Sequence, residues 1–114
     1  MRRGDIVLVD VPFTDLTSAK MRPAIVVSSD AVNRGEDRVL IPISSSLANP
    51  SPWDVVALPS DAAFRATGLH RASAFKCAKM VTLSTSLIKR RLGTADARYL
   101  ALVSSRIKDA LCIR

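Results

Sequence analysis

Two cysteines, one histidine and four glycines in 114 residues leave little material for metal or cofactor chemistry. Cys77 and Cys112 lie far apart, and with His70 as the single imidazole they cannot complete a four-ligand zinc site. No glycine-rich phosphate loop, no GxSxG and no HExxH occurs, and a Ser-His-Asp triad would have to recruit His70, which no motif places beside a nucleophile. No cofactor and no metal is therefore expected. Long hydrophobic runs are also missing. The apolar run that follows Met-Arg-Arg-Gly-Asp is about six residues long, too short for a signal segment, and nothing approaches the roughly 18 apolar residues of a spanning helix. A cytoplasmic protein with two reduced thiols and no membrane partner is the expectation.

What remains is one globular domain's worth of chain, 48% apolar and 24% charged, with a net charge of +7. The charge is uneven: residues 1–62 sum to −2 and residues 63–114 to +9. Such a basic half is built to meet negative charge, with nucleic acid as the default partner, an acidic protein as the second, and a merely solvated surface as the bland alternative.

Asp5–Val11 alternates as a first strand, with Ile6, Leu8 and Asp10 on one face and Val7, Val9 and Val11 on the other. Thr14–Lys20 reads as an exposed loop and Pro23–Ser29 as a second strand. Asp30–Asp37 is a polar connection. Arg38–Ser44 is a third strand whose internal Pro42 predicts an edge or a bulge, and a Pro-rich loop leads to strand four, Asp54–Leu58. A short helix capped by Ser60 is expected to stop at Gly68. Ala72–Met80 reads as strand five, and Leu87–Gly93 as a short strand or turn. Thr94 is then expected to cap a last helix, Ala95–Cys112, with a core-facing stripe of Tyr99, Leu102, Val103, Ile107, Ala110 and Leu111. The pattern predicts a small, mostly β barrel, closed to remove its edges, with one C-terminal helix.

The blocks Arg3-Gly4-Asp5-Ile6-Val7-Leu8-Val9-Asp10 and Lys20-Met21-Arg22-Pro23-Ala24-Ile25-Val26-Val27-Ser28 resemble the MazF/PemK family of toxin endoribonucleases. Ile41-Pro42-Ile43-Ser44-Ser45, then Gly68-Leu69, then Lys76-Cys77-Ala78-Lys79-Met80-Val81-Thr82-Leu83 and the closing helix follow in the family's order. The resemblance spans nearly the whole chain as a single domain. It implies an SH3-like barrel that forms a homodimer and cuts single-stranded mRNA in a sequence-selective way without metal. The ribose 2′-OH would attack the adjacent phosphate to leave a 2′,3′-cyclic phosphate and a 5′-OH. An acidic antitoxin is the implied protein partner of such a type II toxin.

In that reading Arg22 and Ser44 are the catalytic residues. Arg22 offers a planar fork for two phosphate oxygens, and its high pKa suits electrostatic stabilisation better than proton transfer. Ser44 falls where the family carries a Thr or Ser, although it also reads as a turn serine among Ser44-Ser45-Ser46. Ser18, Lys20, Ser45, Lys76 and Lys79 are the candidate RNA contacts, with solvated strand lysines the alternative for the last two. PemK-type members often place an acidic residue where this chain has Ala78, so the base lies elsewhere, Asp15 being one remote option, or turnover is weak. Asp10 reads as structural. Lys89-Arg90-Arg91 reads as an RNA- or antitoxin-facing run or a solvated face, and Trp53 and Phe13 as base-stacking or packing residues. The competing function is a same-fold binder without cleavage, either a gyrase-inhibitor type or an RNA-binding module. Arg22 and Ser44 favour the enzyme, and Ala78 favours the binder.

Overall fold

Strand β1 (Asp5–Asp10) buries both of its faces, and the whole architecture follows from that demand. In the computed structural model, which describes residues 1–10 and 21–114, Ile6 belongs to one apolar cluster and Val7 and Val9 to another. A sheet with two buried faces must curl around one of them. The remaining strands are β2 (Met21–Val26), β3 (Asp37–Ser44), β4 (Asp54–Ala57), β5 (Ser73–Lys76), β6 (Val81–Ser84) and β7 (Ile88–Thr94). All recorded pairings are antiparallel, in the order β4-β5-β3-β2-β1-β7 with β6 beside β3. The mostly β class with a C-terminal helix is therefore as expected. Full closure is not, because among the described residues the ladder remains open. Residues 11–20, which carry the expected first loop with Phe13, Asp15, Thr17, Ser18 and Lys20, lie outside the described part.

β3 explains how a short chain builds this sheet. On one side it pairs with β2. On the other, Asp37–Leu40 pair with β6, while Ile43 and Ser44 pair with β5. Ile41 and Pro42 fall in the gap between those two partners, where a missing N–H costs no ladder bond. Pro42 thus marks a change of partner in an interior strand whose register against β2 is unbroken, neither the edge nor the bulge expected. The same division corrects strand five. It ends at Lys76, the chain turns through a 3-10 turn at Cys77–Lys79, and the overlooked β6 begins at Val81. β2 likewise starts two residues early, at Met21, and ends at Val26.

Helix α1 (Asp30–Asn33), one turn capped by Ser29, sits inside the stretch expected to be a polar connection. The last helix, α2 (Ala97–Ala110), begins later than expected because Asp96 is its cap, accepting from the Tyr99 N–H at 3.0 Å. The Thr94 hydroxyl instead donates to the Gly4 carbonyl at 3.3 Å. Tyr99 and Val103 bury fully against Ile6, Ile25, Ile41 and Phe75, and the Phe75 and Tyr99 rings meet edge-on at 5.7 Å. Leu102 and Leu111 of the same stripe remain 38% and 51% exposed, so only part of it is core in this chain.

The segment after β4 is not the expected Ser60-capped helix. Successive three-residue backbone turns carry it to a 3-10 turn at Arg65–Thr67. The Asp61 carboxylate secures it, accepting from the Leu58 N–H at 2.9 Å and from the Tyr99 hydroxyl at 2.8 Å. Those two donors, the backbone one first, hold Asp61 below its ordinary carboxylate pKa. Gly68 does stop this segment, as expected, in a left-handed conformation at φ 75°. A Cβ on it would meet the Leu92 backbone, and a Cβ on Gly93 would meet Ala66 O and Thr67 C. The turn and β7 therefore touch backbone to backbone through two glycines. Gly93→Ala is expected to cost about 1–3 kcal/mol by forcing them apart. Gly35→Ala, whose new carbon would find only Val32 O at 3.5 Å, should be close to neutral. Urea denaturation of the two variants checks this contrast.

Candidate nucleic-acid interface

The register of β2 against β3 decides where Arg22 goes. Ala24 pairs with Pro42 and Ile25 with Ile41; carried two residues further, the register sets Arg22 opposite Ser44. Both side chains line a cleft of about 290 Å3, together with Ser46, Asn49, Asp54, Lys76 and Lys79. Arg22 is exposed, and so is Lys79. The Ser44 hydroxyl accepts from the Ser46 N–H at 3.1 Å and donates to the Ser46 carbonyl at 3.3 Å. It is thus both a turn serine and a cleft residue. Ser45 is exposed and lines an adjoining cavity instead.

Lys76 is held, rather than left to solvent. Its ammonium donates to Asp54 Oδ2 at 2.8 Å and to the Asn49 carbonyl at 3.1 Å, with side-chain exposures of 13% for Lys76 and 7% for Asp54. Asp54 Oδ2 also accepts from the Ser51 N–H at 2.9 Å. Asp54 is the cleft residue that sequence reasoning missed, and among the described residues it is the only carboxylate lining it. The signal was cross-strand: Asp54 and Lys76 are register partners in β4 and β5, visible only once those strands are known to be neighbours. Ala78 lines the same cleft without contributing a polar group.

Cys77, between Lys76 and Ala78, is buried in the core, and burial first, then the Asp54 charge, pushes its thiol up to about 11. It is a packed, protonated thiol and not a nucleophile. Trp53 packs against the core, and its indole N–H donates to Asp109 Oδ2 at 2.9 Å, which ties it to α2 instead of freeing it to stack on a base. The basic run of β7 divides. Lys89 faces Asp10 at 3.8 Å, both side chains largely exposed, and Arg91 pairs with Asp5 at 3.1 Å. Arg90, between them, lines the adjoining cavity.

A model of the family described as PemK-like, MazF-like toxin of type II toxin-antitoxin system matches residues 2–111. The chain belongs to this family. The resemblance carried by the sequence blocks is thereby shown. A comparison with curated proteins finds no match. Among solved structures, this PemK/MazF-family chain is similar to the Mycobacterium tuberculosis toxin MazF-mt6, with a TM-score of 0.77 at 16% identity over 96% of this chain and 98% of that one. A MazE-MazF crystal structure from Deinococcus radiodurans gives a TM-score of 0.76 at 24% identity, covering 100% of this chain and 98% of that one. A mycobacterial endoribonuclease in complex with its cognate antitoxin gives 0.73 at 21% identity, covering 100% and 95%. At these identities the likeness establishes a shared fold. No helix among the described residues of this toxin-family chain is long and apolar enough to cross a membrane.

Proposed function

We propose that this chain is a sequence-selective endoribonuclease of a type II toxin–antitoxin system, acting as a homodimer on single-stranded mRNA in the cytoplasm without a metal. The observation that carries the reading is the convergence of Arg22 and Ser44, from facing strands, on one cleft.

The nucleophile belongs to the substrate. Attack of the ribose 2′-oxygen on phosphorus forms one P–O bond and breaks the bond to the 5′-oxygen. The 2′-hydroxyl loses its proton, and the departing 5′-oxygen gains one. The chain must place the phosphate and stabilise the added negative charge of the pentacoordinate state. Arg22 does the second task with two parallel N–H donors. The Ser44 oxygen keeps a lone pair that can accept from the 2′-hydroxyl, and its O–H can reach a non-bridging oxygen by leaving the Ser46 carbonyl. Exposed Lys79 contacts the strand electrostatically. The held Lys76–Asp54 pair supplies a fixed wall, and Asp54 and solvent are the proton acceptors the described cleft offers in place of a carboxylate at position 78. An acidic antitoxin segment suits the same basic cleft. The family and the antitoxin-bound neighbours support that reading.

Incubating the purified protein with a long RNA in EDTA and mapping the ends tests it. Discrete cuts with 2′,3′-cyclic phosphate and 5′-hydroxyl ends are expected. Intact RNA that the protein nevertheless binds would overturn the enzymatic reading in favour of a non-catalytic toxin.

A further inference from the structure

Adjoining the cleft, and sharing Arg22, Ile43, Ser44 and Ser46 with it, is a larger cavity of about 510 Å3. Its size is within the usual range for ligand pockets. Three arginines from three separate segments line it: Arg22 of β2, Arg71 of the loop before β5, and Arg90 of β7. His70 stands beside Arg71, and among the described residues no carboxylate lines the cavity. The floor is apolar, with Leu8, Pro23, Leu69 and Leu92.

Three arrangements show that this cavity is built, not incidental. First, β7 pairs Arg91 with Asp5 and sets Lys89 3.8 Å from Asp10, while the exposed Arg90 lines the cavity with no ion pair among the described residues. Second, the loop bearing His70 and Arg71 is fastened at both ends. The Leu69 N–H donates to Thr67 Oγ1 at 3.1 Å, and the buried Ser73 hydroxyl donates to the Arg71 carbonyl at 2.8 Å. Third, the glycine pair Gly68 and Gly93 removes the two Cβ atoms that would separate this loop from β7, and so brings Arg71 to the same cavity as Arg90. The backbone that carries Arg71 is fixed, and the exposed guanidinium groups of Arg71 and Arg90 each offer a planar fork to a phosphodiester.

We propose that this cavity is a second phosphodiester subsite for the RNA strand, where Arg71 and Arg90 hold the backbone beside the scissile link that Arg22 addresses. It rests on the nuclease reading above. The apolar floor accepts the ribose or base of the nucleotide next to the cut, and Arg22 bridges the two compartments. Arg71 and Arg90 touch the strand but not the reacting phosphate, so they set substrate affinity and the length of RNA required rather than the rate of the bond-breaking step.

The test compares the whole protein with Arg71→Ala, Arg90→Ala and the double variant. The probes are a single-stranded RNA containing a mapped cut site and the same oligonucleotide with a 2′-deoxy sugar at the cut. Each single variant should weaken binding of the uncleavable RNA several-fold, and each should flatten the log-affinity against log-salt plot by about 0.7. The double variant should raise KM about tenfold or more, with kcat changed far less. A double variant that melts like the parent yet keeps its KM and salt slope overturns the subsite alone. A double variant that loses kcat at unchanged KM overturns it too. If the parent does not cut RNA, the nuclease reading falls, and the binding arm still decides the subsite. Loss of affinity for an acidic peptide with unchanged RNA binding would assign the cavity to a polypeptide and overturn the proposal.

Discussion

Arg22→Ala is expected to lower the single-turnover rate of RNA cleavage by about a thousandfold, the upper range for removal of one preorganised charge-stabilising donor. Exposed Arg22 lines the cleft with Ser44, and in the proposed reaction the charge it would meet grows on going from phosphodiester to pentacoordinate state. An interaction that strengthens in this way acts on kcat more than on KM. Arg22→Lys keeps the charge but loses the fork, and it should recover only a small part of the rate. Arg22 is exposed, so the melting of both variants should stay within about 0.5 kcal/mol of the parent. Rapid-quench cleavage of an end-labelled RNA, with thermal melts alongside, measures both effects. An Arg22→Ala protein that cuts within tenfold of the parent would remove this residue from the chemistry. Ser44→Ala should be milder, since its hydroxyl is neutral and already partnered by Ser46.

Lys76→Met is expected to act on the fold. Its partner Asp54 is only 7% exposed in its side chain, and removing the ammonium leaves that carboxylate with the Ser51 N–H as its remaining recorded donor. Breaking one half of a buried ion pair costs on the order of 3 kcal/mol. Pairing Lys76→Met with Asp54→Asn should restore much of the loss, because a neutral amide no longer strands a charge. Exposed Lys79 makes the opposite prediction within the same comparison: Lys79→Ala should leave stability unchanged and weaken RNA binding in a salt-dependent way. Urea unfolding of the three variants and the double mutant separates the roles. A Lys76→Met protein as stable as the parent would show that the pair contributes nothing to the fold.

These two cations mark the point at which the amino-acid sequence stops being legible. Both lysines were candidate RNA contacts, and nothing local distinguishes them. Lys76 faces Asp54 across an antiparallel ladder from 22 residues upstream, whereas Lys79 ends a 3-10 turn and is exposed. The basic run of β7 is the same case. Arg91 finds Asp5 from 86 residues away, which leaves Arg90 for the cavity. Strand five failed for a related reason. Its apolar pattern continues through Met80, but its hydrogen-bonding partners on β3 do not, so the chain breaks into β5 and β6.

Alternation along β1, the helical stripe around Tyr99 and Val103, the left-handed stop at Gly68 and the blocks around Arg22 and Ser44 were all readable from the amino acids. They depend on neighbours within a few residues, and they sufficed for the fold class and the family. Tertiary structure alone decided which cations are neutralised, where β3 exchanges one partner for another, and that two glycines draw Arg71 toward Arg90. Charge pairing and backbone contact act across space and fall off within a few ångströms. No periodicity in the chain records which distant segments will meet.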